Sequence, residues 1–532
     1  MFRTASRSLL RLSALAVFAC AALALVPALA AAQITVNTTA DQAPSVGECT
    51  GVPGDCSLRQ AIDAANKVPG PETIVLPAGS YTLTIKGSEE NEDATGDLDV
   101  TEESEISIAG AGARTTVVDA TGLEDRVFDV QFLASLSLSR LTVTGGLVSD
   151  ENGGGVFAEE ATLNLDQVAG RGNTASNSGR GGGVGVDESK TTIANSLITE
   201  NHNSGDGGGL WTSQGEISLV NTTLANNVVD TSLFPSAPGW GAYGGAWEIN
   251  SSIVTAQNVT ISGNSIHDGN GGGEGSGTAI DGAPEAGSTF VNTIIYGNTG
   301  TEVEELSQCD SKLEASGGHN LEQQVPTAEE ERCFEGPTDL IADPLLGPLA
   351  NNGGETDTMA LLTGSPAINA GDSALCPATD QRGFPRPQLG GCDIGAFEVQ
   401  PPPPPPVFKP TIKRRGHVKV KKAGKTFLVK TPFLVSCPAG GPSCTGTIKA
   451  RAPKAKPKGA GTSTAKKVPV VGKAKFTVAP GKTKKLSLKL NRKGAKMLRQ
   501  AGKLRTQFEV ACRAGTGPQA KLKATLKLKL PS

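Results

Sequence analysis

Residues Ile193 to Trp211 read IANSLITENHNSGDGGGLW, a short apolar alternation followed by asparagines at 195 and 201 and a triple glycine. Altered copies follow as LVNTTLANNVV from Leu219, AQNVTISGNSIHDGNGGG from Ala256 and FVNTIIYGNTG from Phe290. Aligning them puts Asn195, Asn221, Asn258 and Asn292 in one column, with Arg140 and Gln167 at the same place in earlier copies. Six residues on lies a second column of Gly146, Asn173, Asn201, Asn227, Asn264 and Asn298. From Arg140 to Asn221 the column recurs every 26 to 28 residues, and the 37 residues that follow hold an insert around VVDTSLFPSAPGW. A period of this size with apolar runs of about five residues is the signature of stacked coils built from short strands.

Stacking brings each strand beside its equivalent one period later, in parallel and at about 4.8 Å per coil. The expected fold is all-β: a parallel β-helix, followed by a small basic β-sandwich. The second column is expected to take left-handed backbone angles, which Gly and Asn tolerate best, and the first to form a hydrogen-bonded asparagine ladder. Glycine triplets at 153, 181, 207 and 271, with Gly244 and Gly245 between them, mark a further turn. The residues after them, Val156, Val184, Leu210 and Ala246, are expected to face inward. CSLRQAIDAAN places Leu58, Ile62 and Ala65 on one helical face, suited to covering the first coil, while Asp339 to Glu398 is expected to close the other end.

The ends of the chain differ in character. Arg3, Arg7 and Arg11 precede an apolar run and a small-residue site, so residues 1–32 read as a signal peptide, residues 33–398 as the β-helix with its caps, 399–407 as a polyproline linker and 408–532 as a lysine-rich domain. The net charge of −4 conceals two opposed bodies. From Val407 onward there are 33 Lys and Arg against one acid, Glu509, which leaves 16 basic and 52 acidic residues before it. Export permits disulfides, and the cysteines pair by proximity as Cys49 with Cys56, Cys309 with Cys333, Cys376 with Cys392 and Cys437 with Cys444. Cys512 is left over. No CxxC spacing or neighbouring histidine supports zinc.

CSLRQAIDAAN, TIVLPAGSYTLTI, GDLDVTEESEISIAGAG, DPLLGPLANNGGETDTMALLTGSPAINAGD, DQRGFPRP and CDIGAFE together resemble the exported bacterial β-helix proteins known as CSLREA-domain and choice-of-anchor-Q proteins. The resemblance covers about Cys49 to Glu398, with Gln60 in place of the usual glutamate and the basic domain in place of the usual anchor. It implies a right-handed parallel β-helix of the pectin-lyase-like group and a secreted or surface address more than an activity.

Hydrolases of polysaccharides need clustered carboxyls and lyases need calcium beside a base. The coils show no NTD, no adjacent Asp pair and no RxK, and Asp187, Asp206 and Asp268 read as solvated turn acids. GGVGVD at 182–187 begins like a calcium nonapeptide but lacks its tandem period. No catalytic residue, metal or cofactor is expected. All three tryptophans and Tyr243 fall between 211 and 247, so Phe157, Trp211, Trp240, Tyr243 and Trp247 form a candidate glycan platform if they point outward; the alternative is a local minicore under the insert. The basic domain is expected to meet anionic envelope polymers or glycans. Nucleic acid is not expected, because no aromatics interleave with the lysines. The leading expectation is a non-catalytic surface protein concerned with adhesion; the alternatives are a polysaccharide lyase and an extracellular structural protein.

Overall fold

The computed structural model describes residues 33–45, 49–87, 90–233, 241–269, 275–301, 307–313, 316–323, 332–402, 407–453 and 468–531. The expected signal peptide, residues 403–406 of the linker, and Trp240 lie outside the described residues. The chain divides into two compact units, Met1–Pro401 and Pro402–Ser532. Among the described residues no helix is long and apolar enough to cross a membrane.

The first unit is a parallel β-helix. One coil supplies four short strands in succession, such as Val184–Asp187, Lys190–Ala194, Leu197–Thr199 and His202–Asn203. Like strands of successive coils pair in parallel into sheets of seven, ten, ten and six strands. The ten-stranded sheet of second strands runs from Gln33–Thr35 to Ser316–Gly318, and the seven-stranded sheet of first strands from Leu98–Val100 to Ile280–Asp281. Alternation sends every other side chain inward, so Leu163, Ile193, Leu219 and Ala256 form part of one continuous core.

The two columns have exchanged the roles expected of them. The first column carries the left-handed residues, with φ between 49° and 58° at Arg140, Gln167, Asn195, Asn221, Asn258 and Asn292. The second column forms the unbroken ladder. Asn173, Asn201, Asn227 and Asn264 each donate Nδ2 to the side-chain oxygen of the next coil at 2.8–3.1 Å, and Gln308 receives the last bond, from Asn298. Each of these five asparagines also donates to a carbonyl of the preceding coil. The reason is burial: an interior amide must satisfy both hydrogens and its oxygen, and the next coil offers matching partners. In the first column only Asn221 to Asn195 and Asn292 to Asn258 connect along the stack.

Helix α1 (Leu58–Asn66) covers the first coil as expected, burying Leu58, Ala61, Ile62 and Ala65. Ser57 and Gln60 form a reciprocal capping box, so glutamine performs the capping role at this position. Arg59 is fully buried against Asp41 at 3.0 Å and the carbonyls of Gly96 and Asp97.

The other end departs from expectation. It is filled by Trp247, Phe290 and Phe334, whose rings lie 6.3 and 6.0 Å apart in sequence, beside the Cys309–Cys333 disulfide. Residues 339–398 do not cap it. Leu340–Ile341 adds one strand to the stack, and the chain then lies back along the coils as a strap. Asn292 meets Asp372, Asn258 meets Asp393 and Gly395, Asn221 meets Thr379, and Thr223 meets Gln381. Glu355 and Asp357 reach as far back as Ala113, Arg114 and Arg140. The amides of Asn221, Asn258 and Asn292 in the first column thus find partners in the strap and are buried.

The second unit packs two antiparallel four-stranded sheets around one core, with Phe433 and Phe508 meeting at 5.8 Å across it. Helix α2 (Arg492–Ala501) buries Ala495 and Leu498, whereas Ala501 is exposed. All four expected disulfides are present, and Cys512 is free and buried.

Candidate functional site

The outer face of the seven-stranded sheet gathers side chains that the sequence scatters over 183 positions. Residues Asp99, Asp129, Phe157, Gly185, Trp211, Glu248 and Asp281 are register partners in successive coils and form one row. Each directly follows an inward-facing apolar residue, so each lies on the outer face.

The N-terminal part of this row borders a cleft of about 400 Å³ lined by Asp97, Asp125, Arg126, Asp129, Glu151, Phe157 and Glu159 among others. Arg126 pairs with Asp129 at 2.7 Å, with Glu151, and with Asp97 at 3.6 Å, and lies 5.4 Å above the Phe157 ring. One cation among so many acids leaves the cleft anionic. Burial pushes Asp97 well above the usual carboxylate range, with the charges of Asp99 and Asp125 adding to it. Burial likewise raises Asp99 to about 7, against the hydrogen bond from the Asp93 amide.

Farther along, Arg180 pairs with Asp206 at 2.9 Å and lies 5.5 Å above the Trp211 ring. Burial, then the charge of Asp206, raises Glu248 to about 8. Asp281 is raised to about 7 by burial, with Asp310 and Asp206 adding and a hydrogen bond from Ser276 opposing. Trp211 Nε1 and Glu248 Oε2 are buried without hydrogen-bond partners. At neutral pH these carboxyls present both donors and acceptors, the pairing that hydroxyl groups of a sugar require. Among the described residues no group of three His, Cys, Asp or Glu is placed to hold a metal ion.

The aromatic platform needs correction. Trp247 is a core residue: it is the register partner of Leu210, its ring packs on Phe290, and its Nε1 donates to Thr212 at 3.1 Å. The expectation erred by one position, because Ala246 occupies the place of the third glycine and Trp247 that of the inward residue. Trp211 does lie on the outer row but is only 2 % exposed beneath Arg180. Phe157 is half-buried at the cleft, and Tyr243 is half-buried in a bridge with Asp206. Asp206 and Asp268 are buried rather than solvated; Asp268 accepts from Thr231 at 2.9 Å.

Shifting the alignment by that one residue would have revealed the row, since LDVT, FDVQ, VFAE, VGVD, LWTS, WEIN and IDGA then superpose. Arg126 and Arg180 had no such signal, because both lie in turns outside the strands. The polar residues of DQRGFPRP and CDIGAFE are used within the strap: Arg386 pairs with Glu398 at 3.3 Å with both side chains fully buried, and Arg382 pairs with Asp380 at 2.6 Å.

The basic domain presents the opposite surface. Among the described residues all sixteen ion pairs lie before residue 399, and none is formed in the second unit. Lys419, Lys421, Lys422, Lys484, Lys485, Lys503, Lys521, Lys523, Lys527 and Lys529 are exposed along its strands. No protein-family model matches this sequence, and the comparison with curated proteins finds no match.

Proposed function

We propose that this chain is an exported, non-catalytic surface protein whose acidic β-helix binds glycans along the outer face of the seven-stranded sheet while the basic domain holds it to anionic envelope polymers. The observation that carries this reading is the unpaired charge of the second unit, 33 Lys and Arg against Glu509, with no internal ion pair among its described residues. Such a surface attracts a polyanion over the Debye length and releases it in salt. Four disulfides support an oxidising compartment. The resemblance to CSLREA-domain and choice-of-anchor-Q proteins supports the same address.

The test uses cell-wall fragments freed of membrane. The full-length protein is expected to bind at low salt and to elute as salt rises, whereas a chain ending at Val399 does not bind. Equal retention of the two chains refutes the anchor. A second reading, a polysaccharide-degrading enzyme, draws on Glu248 and Asp281 as neighbouring carboxyls of raised pKa. It requires new reducing ends or unsaturated products from acidic polysaccharides, lost in Glu248→Gln.

A further inference from the structure

The basic domain carries a groove whose chemistry is narrower than its overall charge. Helix α2 begins at Asn491, whose side chain accepts the Gly494 amide at 2.8 Å, and ends at Gly502. Its inner stripe, Gly494, Ala495 and Leu498, is buried. Lys493, Met497, Gln500 and Ala501 follow one another at helical spacing on a second stripe, and with Pro453, Lys503, Leu504 and Arg505 they line a groove of about 630 Å³. This lies within the size of small-ligand sites, about 300–1,000 Å³.

The floor and rim differ. Pro453, Met497, Ala501 and Leu504 supply apolar surface, with Met497 half-buried and Leu504 6 % exposed. Lys493, Lys503 and Arg505 are exposed at the rim, and among the described residues none has an ion-pair partner. Among the described residues no acid lines the groove. A simple polyanion would neutralise the rim but leave the floor without an apolar partner. A neutral apolar ligand would leave three cations unused.

We propose that this groove holds an anionic phospholipid of the envelope membrane, with acyl carbons against Met497, Ala501 and Leu504 and the phosphate between Lys493, Lys503 and Arg505. This deepens, and rests on, the reading of the basic domain as an envelope anchor. Met497 suits an acyl chain because its unbranched thioether adapts to irregular apolar partners. Arg505 suits the headgroup because a guanidinium can meet two phosphate oxygens at once.

The experiment compares two surfaces with the full chain: polyphosphate beads, which carry charge alone, and phosphatidylcholine vesicles with and without phosphatidylglycerol. The variant Met497→Gln with Ala501→Gln roughens and polarises the floor while leaving the net charge unchanged. Wild-type protein is expected to stay on phosphatidylglycerol vesicles at a salt concentration that strips it from the beads. The variant should bind those vesicles about tenfold more weakly, a loss of ~1.4 kcal/mol, with bead retention unchanged. Release of the wild type from both surfaces at the same salt, or equal vesicle affinity of wild type and variant, overturns the proposal. If the wild type is not held by the beads at low salt, the anchor reading fails instead, and the vesicle comparison still decides the groove.

Discussion

Glu248 offers the sharpest test of the carboxylate row. Its carboxyl shifts from an ordinary 4.5 to about 8 in the fold, chiefly through burial and then through Asp206. The folded protein therefore holds a proton that the unfolded chain has released throughout the interval from about 4.5 to 8. Stability falls as pH rises across that window and levels off above it. At about 1.4 kcal/mol per unit the full span sets an upper bound of ~5 kcal/mol, and partial exposure of the side chain reduces this to about 1–3 kcal/mol. Glu248→Gln keeps the shape and removes the ionisation. Any constant cost of the amide cancels when the variant is compared with wild type at two pH values. The expected result is that the variant gains about 1–3 kcal/mol relative to wild type between pH 5 and pH 9. Denaturant unfolding followed by tryptophan fluorescence is suitable, because all three tryptophans precede residue 402 and report on the first unit alone. A stability difference that stays constant between the two pH values would refute the buried-carboxyl account.

Three further outcomes are expected. Asn227→Ala removes an oxygen that accepts from both nitrogens of Asn201 and an Nδ2 that donates to Asn264 and the Ile198 carbonyl, so it should cost about 2–4 kcal/mol in the same unfolding assay; a loss below the assay's error would deny the ladder its structural role. Trp247→Ala opens a void between Thr212 and Phe290 and should cost about 3–5 kcal/mol, whereas a surface tryptophan would be lost with little effect. Burial raises the Cys512 thiol to about 11, so thiol reagents at neutral pH should leave it unmodified until the second unit unfolds; stoichiometric labelling of the native protein would contradict its placement.

The repeat was legible because superposition leaves a mark at every coil: the two columns recur in every copy, and strand alternation followed from apolar spacing. What the columns do was harder to read. Asn is equally suited to a left-handed turn and to an interior amide ladder, and only burial distinguishes Asn195 from Asn201. The carboxylate row was hidden by a single substitution, Ala246 for glycine, which moved Trp247 from core to surface in the alignment and broke the column linking Trp211 to Glu248 and Asp281. The strap was invisible for a different reason. Its contacts join residues separated by up to 243 positions, Arg114 to Asp357, and no local pattern announces where such a segment will lie.

That strap changes how the molecule should come apart. A simple stack of coils interacts only with its neighbours, so it can fray from an end and shed turns one at a time. Here a segment leaving the last turn is fastened by Asn292, Asn258, Asn221 and finally Arg114, close to the first turns. Pulling the terminal turn away requires stripping this belt from nearly the whole length, which couples the two ends mechanically. Coils tied in this manner resist peeling from the last turn.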